Sequence, residues 1–267
     1  MPVAARRGAA IEIVHLRKTF ESGKNSVVAI DDLSISIAPG EFVCFVGPSG
    51  CGKSTLLRIL AGLEEPDSGE VRIDAAEGGV RNAMVFQEAS IFPWKTVGDN
   101  IAFGLRARGM ARAQYTARVD EALRLVGLSR FRDHYPSQIS GGMKQRAAIA
   151  RALVTDPAVL LMDEPFASLD AQNRAILQAE LANICEQTGT TVIYITHSLE
   201  EALMLGDRAV VLTAQPARIK DEVIVPFPRP RDTIEVSATP MFGELKLRMW
   251  NVLEAEVLQA RREHEGV

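Results

Sequence analysis

Residues 11–16 and 33–37 alternate apolar and polar side chains, which predicts half-buried antiparallel strands. Residues 42–47 instead run apolar without a break, the pattern of a strand buried on both faces. Further strands are expected at 80–87, 158–163, 191–196 and 208–213. Between them, helical spacing marks 54–63 with Gly62 near its end, 111–126 closed by Gly127, and 141–154 stopped before Pro157. It also marks 171 to about 187 and 198–205, while the segment after residue 87, with Pro93, reads as a loop. Buried strands alternating with helices predict an α/β fold with a mostly parallel sheet covered on both faces.

From about residue 215 the pattern changes. Residues 220–227 suit an edge strand, and the prolines of 226–232 make a stiff extended connector, since they fix φ and block a helix. Thr239 and Pro240 then supply an N-cap and first-turn proline for a last helix. Its apolar positions Phe242, Leu245, Met249, Trp250, Leu253 and Val257 fall on one face, expected to pack on the main domain.

Composition narrows the class without naming a chemistry. The 267 residues are 47% apolar and 24% charged, which excludes a disordered, collagen-like or coiled-coil chain. A net charge of −4 excludes nucleic-acid binding driven by overall charge. Cys44, Cys51 and Cys185 are too few and scattered for a disulfide framework or zinc site and fit a reducing compartment. Neither a signal peptide at residues 1–16 nor a membrane span is expected.

Chemistry enters at Gly47, Pro48, Ser49, Gly50, Cys51, Gly52, Lys53 and Ser54, which match G-x-x-x-x-G-K-[ST] between the buried strand and an apolar helix. The glycines let backbone N–H groups curl around phosphate oxygens, and the helix start adds its positive end. Lys53 brings a full charge to the β- and γ-phosphates, the Ser54 hydroxyl suits magnesium, and Thr55 continues the cradle. A nucleoside triphosphate is therefore the expected ligand.

Three strand ends should converge on that loop, because ligands of open parallel sheets lie at the carboxyl ends of strands. Residues 158–163 end in Asp163, placed to hold magnesium, and Glu164, placed as general base toward an attacking water. Gln87 ends another strand, where its amide oxygen suits either magnesium or that water. His197 follows 191–196 by one residue and is expected at the γ-phosphate, although a histidine after a strand is as a rule unremarkable.

Ser140, Gly141 and Gly142 precede a helix and read as a second anion-binding N-terminus, which one triphosphate does not require. With Gln145 and Arg146, upstream of Asp163 and Glu164, they resemble the signature motif of the ATP-binding cassette (ABC) ATPases. Ile139 and Met143 stand where Leu and Gln are commonest in that family. The resemblance runs through nearly 200 residues and implies a P-loop NTPase of ABC ATPase fold. In such a fold a mostly parallel core carries an antiparallel β subdomain and a helical subdomain. It also implies a head-to-tail dimer, each nucleotide lying between one copy's phosphate loop and the other's signature helix. Phe20 then resembles the aromatic that stacks on adenine, Ser168, Leu169 and Asp170 the D-loop reaching the partner's site, and His197 the switch histidine.

Residues 85–105, 163–171 and 225–232 closely resemble the nitrate, sulfonate and taurine importer ATPases. That implies ATP with Mg2+, a second copy, two permease subunits, an external solute-binding protein, and work at the cytoplasmic face of a bacterial inner membrane. Phe92, Pro93 and Trp94 are expected in the groove receiving a permease helix. Thiamine-precursor importers look similar. Rival readings are an exporter or lipid-trafficking ATPase, a non-transport ABC ATPase, and a P-loop kinase, which would need neither signature nor D-loop. The expected division is an ABC ATPase domain over 1–214, its helical subdomain over about 88–155, and an extension over 215–267.

Overall fold

The computed structural model describes residues 8–22, 25–76, 79–167 and 169–265, so the readings of 1–7 and of Ser168 lie outside the described residues. In chain order, β1 (Ala10–Ser22) and β2 (Asn25–Ile37) form a hairpin, and β3 (Phe42–Val46) leads into α1 (Lys53–Leu60). Next come β4 (Ser68–Asp74), β5 (Val80–Val85), α2 (Val97–Ala107), α3 (Arg112–Leu125) and α4 (Gly141–Leu153). Then follow β6 (Pro157–Asp163), α5 (Ala171–Thr188), β7 (Thr191–Thr196), α6 (Leu199–Leu205) and β8 (Arg208–Leu212). The chain closes with β9 (Ile219–Ile224), α7 (Thr233–Ser237) and α8 (Pro240–Glu265).

The strands form two sheets. The antiparallel one has strand order β2-β1-β4 and the larger β5-β6-β7-β3-β8-β9. In the larger sheet β5, β6, β7, β3 and β8 run parallel, and β9 closes one edge antiparallel to β8. The uninterrupted apolar run of β3 has a direct cause in packing. Phe42, Cys44 and Val46 enter one buried cluster with α5, α6 and α8, while Val43 and Phe45 enter another with α1 and the antiparallel sheet. One face of the sheet is thus covered partly by the antiparallel sheet, the β subdomain that the resemblance implied. Burying each such side chain stabilises the fold by about 1.5–3 kcal/mol.

A third cluster lies inside the helical region, joining Ile91, Ile101 and Leu105 to Val119, Leu123, Ala147 and Ala150. Its helix α2 was not expected and follows the loop that carries Pro93. Thr96 caps it by accepting a hydrogen bond from the Asp99 N–H, and the buried positions Val97, Ile101, Ala102 and Leu105 have helical spacing. Strand β4 was also missed, although Val71 and Ile73 alternate with polar residues. Strand β5 stops at Val85, so Gln87 stands two residues beyond the strand it was expected to end.

In the tail, Thr239 accepts from the Phe242 N–H at 3.3 Å and starts α8 as expected. The connector ends at Asp232, which caps the unanticipated short helix α7. The apolar stripe of α8 is only partly right. Phe242 and Met249 are buried, whereas Trp250 is 54% exposed. No described helix is long and apolar enough to cross a membrane.

Candidate functional site

Strand β3 delivers the chain into a loop whose glycines are required by geometry. Gly52 caps α1 at φ 117°, and a Cβ there would lie 2.4 Å from the Ala29 carbonyl oxygen. Gly50 has φ 77° with open space around it, so its backbone conformation alone asks for glycine. Because the N-cap is glycine, no side chain caps the helix. The first-turn amides of α1 have no intrahelical acceptor and remain free for an anion.

Lys53 is 5% exposed and folds back over the loop, donating to the carbonyls of Gly47 at 2.8 Å and Pro48 at 2.7 Å. Its ammonium therefore stands fixed beside those amides. Cys51, also buried, lies beneath with its sulfur 3.8 Å from the Lys53 nitrogen, and burial pushes its thiol pKa up.

An open cleft of about 450 Å³ lies above the loop, lined by Phe20, Ser49, Gly50, Gly52, Lys53, Ser54, Thr55, Gln87, Glu164 and His197. These come from β1, the phosphate loop and the carboxyl ends of β5, β6 and β7, so the strand order assembles them. Glu164 follows β6 with φ 44°, its N–H donating to the Ile195 carbonyl at 3.0 Å across on β7. One carboxylate oxygen lies 2.5 Å from His197 Nε2, and the other accepts from Gln87 Nε2 at 3.4 Å. Burial raises the Glu164 pKa above the ordinary carboxylate value, opposed by His197 and Lys53.

Not every predicted residue reaches the cleft. Gly47 and Pro48 support it from below through their carbonyls, and Asp163, half-buried at the end of β6, is not in its lining. Ser140, Gly141 and Gly142 also lie outside the lining. Ser140 is exposed and its hydroxyl caps α4, accepting from the Met143 N–H at 3.3 Å, while a Cβ on Gly141 would meet nothing within 4 Å. Asp170 is exposed at the start of α5, its carbonyl accepting from the Arg174 N–H.

Two lining residues, Ala29 and Gln215, carry no motif. Hydrogen bonds between Ala217 and both Ala29 and Asp31 bring them there. Gln145 adds a link that sequence did not suggest. It is 1% exposed and donates through Nε2 to the Phe86 carbonyl at 3.4 Å, joining α4 to the residue before Gln87.

The cleft fits a magnesium nucleotide in its donor chemistry. Uncapped amides and an ammonium suit phosphates, and the nearby oxygens of Ser54 and Gln87 suit a hard cation. Among the described residues no group of three or more His, Cys, Asp or Glu forms an all-protein metal cage.

Known proteins share this arrangement. A family model described as ABC transporter matches residues 30–167. The nitrate import ATP-binding protein NrtD of Synechococcus elongatus is 45% identical over 235 residues, covering 86% of each chain. The taurine import ATP-binding protein TauB of Jannaschia sp. is 42% identical over 245 residues, covering 90% of this chain and 91% of that one. A solved dimeric ATP-binding cassette in a post-hydrolysis state, bound to ADP and Pi, superposes with a TM-score of 0.73 at 30% identity. It covers 82% of this chain and 100% of that chain.

Proposed function

The chain belongs to the ABC transporter family of ATP-binding proteins, and from that premise we propose that it is the ATP-hydrolysing subunit of an importer for a small solute. The observation that carries this reading is the meeting of Gln87, Glu164 and His197 with the phosphate loop in one cleft. Nitrate, a sulfonate such as taurine, or a related compound is the proposed cargo, because two close relatives are named for nitrate and taurine import.

In the proposed mechanism Phe20 stacks on the adenine, and Lys53 with the amides of Gly50 to Thr55 holds the phosphates. Glu164 takes the proton of the water that attacks the γ-phosphorus, and ADP leaves as the terminal P–O bond breaks. His197 orients Glu164 and contacts the γ-phosphate. Ser54, Gln87 and Asp163 would hold magnesium, which when bound neutralises charge on the β- and γ-oxygens. Ser140, Gly141, Gly142 and Asp170 act on the cleft of a second copy, in a head-to-tail dimer. Their position outside this chain's cleft supports that role.

The dimer works against two permease subunits at the cytoplasmic face of a bacterial inner membrane, supplied by an external solute-binding protein, without nucleic acid. Trp94 is 71% exposed beside Phe92 and suits the permease contact. We assign 1–214 to the nucleotide-binding domain, about 88–155 to its helical subdomain and 215–267 to the extension. Lys53→Ala tests the core of this reading, with nucleotide affinity measured by titration calorimetry. Affinity should fall at least about tenfold, since a charged hydrogen-bonding partner of the phosphates is lost; unchanged affinity would refute the site.

A further inference from the structure

The proposed mechanism gives the C-terminal helix no part in the reaction, yet α8 carries a buried charge bonded to the segment that joins β8 to β9. Glu256 is 5% exposed and is the only buried acidic residue among the described residues. A buried carboxylate is stable only when both oxygens are partnered. One accepts from the Ala214 backbone N–H at 3.0 Å, and the other pairs with Lys220 on β9 at 3.0 Å. An apolar residue would dock the helix equally well; a carboxylate fixes one particular amide.

Ala214 begins the turn from β8 to β9, and that turn is a wall of the cleft. The Thr213 hydroxyl donates to the Pro216 carbonyl at 2.7 Å and accepts from the Arg218 N–H at 2.9 Å, closing the turn. Gln215 lines the cleft. Ala217 donates to the Ala29 carbonyl at 2.9 Å, and its Cβ lies 3.1 Å from where a Cβ on Gly52 would stand. From Glu256 a path thus leads through the Ala214 N–H and the 213–218 turn to Ala217, which packs beside Gly52, the N-cap of α1.

We infer that Glu256 is a positioning residue for nucleotide binding: by holding the Ala214 amide it orders the 213–218 turn and couples α8 to occupancy of the cleft. The inference rests on the cleft being the nucleotide site. An ordered wall lowers the entropy lost on binding, so the clamp favours affinity. The hydrolytic group Glu164 is held by β6 and β7, to which the turn does not belong, so the chemical step is spared. Linkage makes the coupling reciprocal, and a bound nucleotide tightens the docking of α8.

Glu256→Ala and Glu256→Gln, with Lys53→Ala as control, test this by ADP titration and steady-state ATP hydrolysis. Glu256→Ala should raise the ADP Kd and the KM for ATP about tenfold, with kcat changed by less than roughly twofold. Glu256→Gln keeps an acceptor for Ala214 and should recover most of the affinity. Wild-type affinity in folded Glu256→Ala, a loss confined to kcat, or no rescue by Gln would each overturn the inference. Should Glu256→Ala not fold, hydrogen exchange on the wild type decides. ADP should slow exchange both in 213–218 and around residue 256, and protection of the phosphate loop alone would overturn the coupling. If Lys53→Ala also binds ADP normally, the reading of the cleft itself has failed.

Discussion

His197 Nε2 stands 2.5 Å from one carboxylate oxygen of Glu164, while Gln87 Nε2 approaches the other at 3.4 Å. The proposed base is thus oriented from the ends of two neighbouring strands before any water arrives. Replacing it with Gln keeps shape and hydrogen bonding but removes the proton acceptor. Glu164→Gln should slow hydrolysis by about 10²–10⁴. Nucleotide affinity should hold, and ATP-bound dimers should accumulate on gel filtration. Wild-type turnover in this variant would exclude Glu164 as the base.

The same carboxyl carries a conflict between stability and function. Burial raises its pKa above the unfolded value, with His197 and then Lys53 pulling it back. A group that binds its proton more tightly when folded favours the fold fully below its unfolded pKa, about 4.3. That contribution is lost as pH rises through the folded pKa. Glu164→Gln cannot ionise, so it should melt above the wild type at pH 8, with the gap closing toward acid. Thermal melts from pH 5 to 8 measure this directly, and a lower melting temperature at pH 8 would contradict it. Hydrolysis, which needs the ionised base, should fall with acid at a pH above the ordinary glutamate range.

Ser140 offers a test that separates the copies. It lies on the surface as the N-cap of α4 and is absent from the lining of its own cleft. Ser140→Arg should leave ADP binding to a single chain unchanged, while blocking ATP-driven dimer formation and lowering hydrolysis by orders of magnitude. Analytical ultracentrifugation of Ser140→Arg combined with Glu164→Gln reads out the dimer. Normal dimerisation would remove the signature from the interface.

Much of the site was legible because its residues are contiguous or end a buried strand. Residues 47–54 declare themselves in one segment, and Glu164 and His197 follow apolar runs whose carboxyl ends must share an edge. The remaining wall was hidden because it depends on long-range pairing. Nothing local marks Ala29 or Gln215, which meet only through the bonds of Ala217 to the β2 strand. Helix α2 was missed behind the loop that carries Pro93. It contains Gly98 and Gly104, where a Cβ on Gly104 would lie 2.6 Å from Thr155 Cγ2, and one on Gly98 3.0 Å from Arg132 Cγ. They are small so that the helical layer can close. Trp250 was misplaced because a stripe drawn to include it is wider than the face of α8 that touches the sheet.

Asn100, on α2, holds the segment proposed to meet a permease. It is fully buried, with Nδ2 donating to the carbonyls of Phe92 at 3.1 Å, Lys95 at 3.1 Å and Thr96 at 2.9 Å. Its Oδ1 accepts from the Phe92 N–H at 2.7 Å. One side chain thus satisfies the backbone of the segment that presents Phe92 and the exposed Trp94. Asn100→Ala leaves the Phe92 N–H and the Lys95 carbonyl without their partner, each costing about 1–3 kcal/mol, so stability should fall by about 2–5 kcal/mol overall. Asn100→Asp keeps the acceptor but sets an unpartnered carboxylate oxygen against three carbonyl oxygens, and should destabilise at least as much as Asn100→Ala. The phosphate loop and Glu164 lie on other elements, so the folded variant should still bind ADP with near wild-type affinity. Solute uptake in cells should drop more than hydrolysis by the purified chain, because the aromatic segment no longer holds its shape. Urea denaturation, ADP titration and uptake measured together check the three statements. Equal loss of hydrolysis and uptake would mean that Asn100 supports the fold alone, with no special part in transmission.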